Sequence, residues 1–196
     1  MKYLALDIET QRLSGEVEGG WDNIPAFGLA VAVVMNDSGR WRSYLEVQAD
    51  ELLTTLEIAP LIVTFNGIRF DYEVLRPYGL DPEALYPKSY DILAEMEKVL
   101  GHRVSLNNIA RAMNEAVDEF HTLKSADGML AVEWFRKGEV KKVIDYCLND
   151  VRVTRAIFEF IQSAGYVYYT GRSGVKKCIL VDEMQEPLSF LEEKDD

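Results

Sequence analysis

The sequence predicts an α/β sandwich, a mixed β-sheet held between layers of helices. Two strand-length apolar runs and a partly alternating third fill the first quarter of the chain. A fourth run at 60–65 follows one short helical segment. From about 70 to 163 the chain breaks into helix-length segments with 3.6-residue apolar periodicity.

Residues 2–8 read as the first strand and Phe27–Met35 as a second, nearly all apolar and so expected to be central. A glycine-rich connection joins them. Asn36-Asp37-Ser38-Gly39 is a turn signal, and Arg40–Glu46 alternates enough to return as an antiparallel third strand nearer the edge. Asp50–Glu57 reads as a short helix, and Pro60–Phe65 as a buried strand stopped by Asn66-Gly67. Helices are expected at about 70–77, 90–100, 105–114, 125–136 and 139–163, separated by Gly, Pro and cap-like Ser. In the last, Val140, Val143, Ile144, Cys147, Leu148, Val151, Phe158 and Ile161 form the core stripe, with Asp150 at its edge. Tyr166–Thr170 and Val175–Val181 read as a closing hairpin. The expected division is one domain over 1–181 and an acidic tail over 182–196.

The bulk properties narrow the classes. A chain of 196 residues, 48% of them apolar, is sized for one domain with a full core. No apolar run approaches the ~18 residues a membrane span needs. The first strand begins within two residues of Met1 with no signal segment before it, so a cytoplasmic, membrane-free protein is expected. Cys147 and Cys178 lack CxxC or histidine neighbours and read as core residues rather than a disulfide or zinc site. The net charge of −12 opposes nucleic-acid binding, yet residues 182–196 carry seven acids and one lysine and account for half of it. Four acids of the remaining domain, Asp7, Glu9, Asp71 and Asp150, are candidate metal ligands, and two divalent cations would neutralise them.

Three separated clusters carry chemistry. Asp7 and Glu9 lie two apart in a strand and point to one face. Asp71 follows Asn66-Gly67-Ile68-Arg69-Phe70 at a helix start. Tyr146 and Asp150 are neighbours on one helix surface. Four carboxylates without histidine or thiolate favour Mg²⁺ or Mn²⁺ over Zn²⁺. Two such ions about 3.5–4 Å apart supply what phosphodiester hydrolysis needs: charge neutralisation, an activated water and leaving-group stabilisation. On this reading Asp7 bridges, Glu9 and Asp150 complete one ion, and Asp71 supports the other. Tyr146, a poor base with an ordinary pKa near 10, positions the attacking water.

Leu6-Asp7-Ile8-Glu9-Thr10, Asn66-Gly67 with Phe70-Asp71, and Tyr146-Cys147-Leu148-Asn149-Asp150 resemble, in order and spacing, the three exonuclease motifs of the DnaQ-like DEDD superfamily, which has a ribonuclease H-like fold. The Tyr-x-x-x-Asp form resembles its tyrosine branch, as in the proofreading exonuclease of family B polymerases. Pro87-Lys88-Ser89-Tyr90-Asp91-Ile92-Leu93, Leu123–Gly128 and Ile144–Cys147 are similar to the YprB-like members. The resemblance covers about residues 2–170. It implies a metal-dependent 3′-to-5′ exonuclease acting on a single-stranded nucleic-acid end, DNA or RNA; the polarity comes from the family alone. A non-catalytic binding module and a structure-specific endonuclease of the same fold are the alternatives.

Each cluster taken singly has an ordinary reading as a solvated sheet face, a turn, or surface neighbours. Burying Asp7 among Leu4, Leu6 and Ile8 without a cation would, however, cost several kcal/mol. Thr10, Asn66, Phe70, Asp91 and Lys124 are the candidate substrate contacts. Beside that stand an N-cap role for Asp91, a positive-φ turn role for Asn66 and a plain surface role for Lys124. Trp21, Phe27 and Phe70 are stacking or core residues, and Trp21, in a glycine-rich stretch, is the hardest to bury. Arg136, Lys137, Lys141, Lys142, Arg152 and Arg155 form either a solvated face or a phosphate track.

Overall fold

The computed structural model of the protein describes residues 2–118, 120, 128–171, 174 and 176–180. Five strands form one sheet in the order β3-β2-β1-β4-β5: β1 (Leu4–Thr10), β2 (Leu29–Asn36), β3 (Trp41–Leu45), β4 (Ile62–Thr64) and β5 (Ser89–Asp91). β1 pairs antiparallel with β2 and parallel with β4, β2 pairs antiparallel with β3, and β4 pairs parallel with β5, so the sheet is mixed. The meander and the edge position of β3 follow the hairpin signal at 36–39. The middle strand of the five is β1, with β2 one place outward, although β2 is the more apolar of the two. Both are interior, and β2 has seven consecutive buried residues because layers cover both faces there.

Strand alternation separates two cores. Tyr3, Ala5, Val31, Val33 and Val63 face one side, packing against α5 (Leu106–Ala116), α6 (Gly128–Arg136) and α7 (Val140–Ala164). Leu6, Ile8, Ala32, Val34 and Ile62 face the other, packing against α1 (Ala49–Ile58) and α2 (Asp71–Leu75). The result is three layers. α7 presents Val143, Cys147, Leu148, Val151, Ile157, Phe158 and Ile161 as a continuous buried stripe across β1 and β2. It ends at Gly165, whose φ of 76° allows the left-handed stop.

Two elements differ from the sequence reading. Helix was expected from about residue 90, but Ser89–Asp91 is the fifth strand and α4 (Ile92–Leu100) starts at Ile92. Three residues are too few to show a period of two, and Asp91 is at once the strand's last residue and the helix cap. A four-residue helix, α3 (Pro82–Leu85), also escaped the periodicity. The closing hairpin forms from β6 (Tyr166–Thr170) and β7 (Lys176–Leu180) as its own two-stranded sheet. Asn108 of α5 secures it, accepting from Thr170 N at 2.9 Å and donating to Thr170 O at 2.9 Å. The acidic tail and Lys124 lie outside the described residues.

Candidate active site

The site forms where the parallel strands end. Asp7 and Glu9 continue the face begun by Tyr3 and Ala5, so both carboxylates point toward α7. Pairing of β1 with β4 ends at Ala5↔Val63, which leaves the next stretch of β1 open on that edge. Asp71, the first residue of α2, fills the gap and accepts the backbone N–H of Ile8. From the other layer the Cys147 thiol donates to the Asp7 carbonyl oxygen at 3.1 Å, fixing α7 against β1. Asp150, one turn further along α7, is then close enough for its charge to act on both Asp7 and Glu9.

Electrostatics reveal how crowded these acids are. Burial, then the charges of Asp150, Glu9 and Asp71, hold the Asp7 carboxyl well above the usual carboxylate range. Burial, then Asp150 and Asp71, does the same to Glu9. Asp71 is pushed up to about 8, by burial first and the Asp91 charge second. Asp7 Oδ2 and Asp71 Oδ1 are buried and have no hydrogen-bond partner. An orphaned buried carboxylate oxygen costs free energy unless a cation or proton meets it. Four converging carboxylates, with the Asp7 and Asp71 oxygens left unpartnered, therefore fit hard divalent cations, and the donor chemistry favours oxygen-seeking ions. Asp7, Glu9 and Cys147 also hold ligand atoms within 4.8 Å of one another, but burial pushes the Cys147 thiol well up and keeps it protonated.

Tyr146 sits on α7 one turn before Asp150, with the Trp134 ring edge-on at 6.2 Å and 67°. Trp134, from α6, thus orients Tyr146. Sequence reading passed over it because an aromatic in a helical stripe looks like any core residue.

The middle motif is built by Asp91. Its Oδ1 accepts Asn66 N at 2.8 Å, Leu93 N at 3.0 Å and Ala94 N at 3.2 Å, and its Oδ2 accepts Ile68 N at 3.1 Å. One 2%-exposed carboxylate caps α4 and holds the 66–68 turn that delivers Asp71. Asn66 takes φ 70°, the turn conformation its type tolerates. Gly67 must be glycine, because a Cβ there would lie 2.5 Å from Thr64 Cβ. Both oxygens of Asp91 are thereby engaged by backbone, whereas the Asn66 side chain faces a cleft and accepts from Arg103.

Two clefts share a wall of Trp21 and Phe70, and Glu9 lines the first. One, of about 680 Å³, is lined by Glu9, Thr10, Leu13, Trp21, Phe70 and Val132, among others. Thr10 is buried there, its hydroxyl donating to Arg12 O at 3.0 Å. Trp21 is 66% exposed and meets Phe27 at 5.5 Å and Phe70 at 6.0 Å, so its exposure follows the sequence expectation while Phe27 is core. The other cleft, of about 310 Å³, is lined by Trp21, Ile24, Asn66, Arg69, Phe70 and Arg103. Arg69 and Arg103 were not singled out from the sequence, since isolated arginines carry no periodic signal. The basic residues read as a solvated face or a phosphate track are mostly paired with acids, which favours the solvated face: Arg136 pairs with Glu16, Lys137 with Glu133, Lys141 with Asp145, Lys142 with Glu139 and Arg155 with Glu159.

A mixed five-stranded sheet between helical layers, with acids gathered at the ends of its parallel strands, defines an RNase H-like domain. Residues 4–162 match the family model of the RNase H superfamily, and the chain belongs to that superfamily. No curated protein matches the sequence. Among solved structures the fold is similar to a family B DNA polymerase from the hyperthermophilic archaeon Pyrobaculum calidifontis, with a TM-score of 0.60 and 16% identity. The match covers 83% of this chain and 24% of the polymerase, so the chain spans about a quarter of that protein. At this identity the likeness is one of fold. No helix among the described residues is long and apolar enough to cross a membrane.

Proposed function

We propose that the protein is a 3′-to-5′ exonuclease that hydrolyses phosphodiester bonds at single-stranded 3′ ends of DNA or RNA, using two Mg²⁺ or Mn²⁺ ions and releasing nucleoside 5′-monophosphates. The observation that carries this is the convergence of Asp7, Glu9, Asp71 and Asp150 with two buried carboxylate oxygens left unpartnered. Asp7 would be shared between the ions, Glu9 and Asp150 would complete one, and Asp71 would support the other. When bound, the ions supply charge neutralisation at the phosphoryl group and lower the pKa of a bound water.

The chain's own residues do the rest. Tyr146, held by Trp134, offers its hydroxyl as the hydrogen-bonding group that aligns the attacking water. The neighbouring cleft, walled by Thr10, Trp21 and Phe70, accepts the terminal nucleoside and excludes water from one side of it. The acidity of the site suits this task, because the ions that Asp7, Glu9, Asp71 and Asp150 would hold, rather than basic side chains, would meet the scissile phosphate. Polarity and branch rest on the motif resemblance, and the RNase H superfamily membership supports the nuclease class.

The test is mononucleotide release from linear single-stranded DNA and RNA with Mg²⁺ or Mn²⁺, run beside covalently closed circles. The expected result is release from linear strands by wild type, none by Asp7→Ala, and intact circles. Cleaved circles would replace the reading with an endonuclease, and failure to bind Mn²⁺ calorimetrically would replace it with a binding module.

A further inference from the structure

We infer that the 310 Å³ cleft on the far side of Trp21 and Phe70 is a second subsite, in which Arg69 and Arg103 hold the phosphodiester group next inward from the scissile one. This rests on the proposed exonuclease reading and sets the length of strand that fills both clefts: at least three nucleotides, since a dinucleotide has only the scissile phosphodiester.

Four observations support it. The two clefts share a wall made of Trp21 and Phe70, so a strand leaving the acidic cleft crosses that aromatic ridge directly into the second. Trp21 is 66% exposed and braced edge-on by Phe27 and at a tilt by Phe70, which gives a rigid ring face at low entropic cost for a base to stack on. Arg69 is exposed, lines the second cleft and has no acidic partner among the described residues. In contrast, the lysines and arginines of α6 and α7 considered above are mostly tied to neighbouring acids. Arg103 donates to Asn66 Oδ1, which aims its guanidinium at the same cleft, and its contact with Glu97 is long, at 3.4 Å, between side chains about 40% exposed. In a chain of net charge −12, two arginines converging on one cavity next to the cleft that Glu9 lines form the local potential a phosphate would follow. Planar guanidinium forks match phosphate oxygens.

The experiment is fluorescence titration of the full chain with a short oligothymidylate and, separately, with thymidine 5′-monophosphate, with Ca²⁺ replacing the catalytic ions so that the strand stays intact. Trp21→Phe identifies the reporter, since Trp41 and Trp134 also emit. Arg69→Gln, at an exposed and unpaired position, leaves the fold undisturbed, as circular dichroism will confirm. Arg69→Lys retains the charge. The expected result is oligonucleotide affinity weakened about tenfold in Arg69→Gln, with the slope of log K against log salt reduced by about 0.7. Mononucleotide affinity stays unchanged, and the salt slope recovers in Arg69→Lys. Wild-type affinity and slope in Arg69→Gln, equal losses for mononucleotide and oligonucleotide, or no oligonucleotide binding at all would each overturn the subsite. Mononucleotide release that depends on Asp7 but not on Arg69 would remove the subsite and keep the exonuclease. Arg69-dependent binding without any strand hydrolysis would do the reverse.

Discussion

Replacing Asp71 by asparagine should stabilise the metal-free protein while reducing its response to Mn²⁺ to that of one ion. The Asp71 carboxyl is buried, one of its oxygens has no partner, and its pKa rises from 3.8 to about 8 through burial and then the Asp91 charge. Between those two values the folded protein holds a proton that the unfolded chain has lost, so stability falls as pH rises and the loss is complete above about 8. At roughly 1.4 kcal/mol per pKa unit, the full interval corresponds to on the order of 5 kcal/mol. Asparagine has the same shape and no charge, so Asp71→Asn should recover a few kcal/mol of this above about pH 8, raising the thermal midpoint by about 10 °C. Mn²⁺ at about a hundred times its dissociation constant should in turn stabilise wild type by about 2.7 kcal/mol per ion. The assay is thermal unfolding followed by far-ultraviolet circular dichroism, with EDTA or Mn²⁺, from mildly acidic to mildly alkaline pH. A wild type whose metal-free stability does not fall with pH, or an Asp71→Asn variant less stable than wild type in EDTA, would refute the reasoning.

Three further outcomes follow from the same geometry. Tyr146→Phe should lower kcat about 10²-fold, as expected for loss of alignment, with Mn²⁺ affinity by calorimetry unchanged; a matching loss of metal affinity would make the tyrosine structural. Asp91→Ala removes the acceptor for four backbone N–H groups and should cost about 3 kcal/mol or more in urea unfolding. A change under about 1 kcal/mol would show that the turn stands without it. Gly67→Ala places a methyl 2.5 Å from Thr64 Cβ and should cost about 1–3 kcal/mol, also shifting Asp71 and so weakening Mn²⁺ binding; unchanged stability and affinity would contradict the contact.

The parts legible in the sequence were those with strong local period or fixed spacing. α7 could be bounded to within a residue because its apolar stripe runs seven turns, and the two β1 acids had to share a face because strand alternation leaves no other choice. β5 was not legible: three residues next to a proline-containing turn carry no period, and its pairing with β4 is a tertiary fact. The cap reading of Asp91 was visible locally, but its grip on Asn66 and Ile68, 25 and 23 residues away, was not. Arg69 was hidden for the opposite reason, since its position beside Arg103 depends on α2 and the 101–105 loop meeting at one cleft. The interior place of β2 was legible from its apolar run, which reflects cover on both faces, while β1 gives up apolar positions to its two acids.

The central claim is that four carboxylates hold two divalent ions at the end of β1. Diffraction from crystals grown with Mn²⁺ and a nucleoside 5′-monophosphate, recorded at the manganese absorption edge, addresses it directly. The account predicts two anomalous peaks among Asp7, Glu9, Asp71 and Asp150, with the nucleoside in the cleft walled by Thr10, Trp21 and Phe70. Peaks elsewhere, or none at these carboxylates at saturating Mn²⁺, would contradict it.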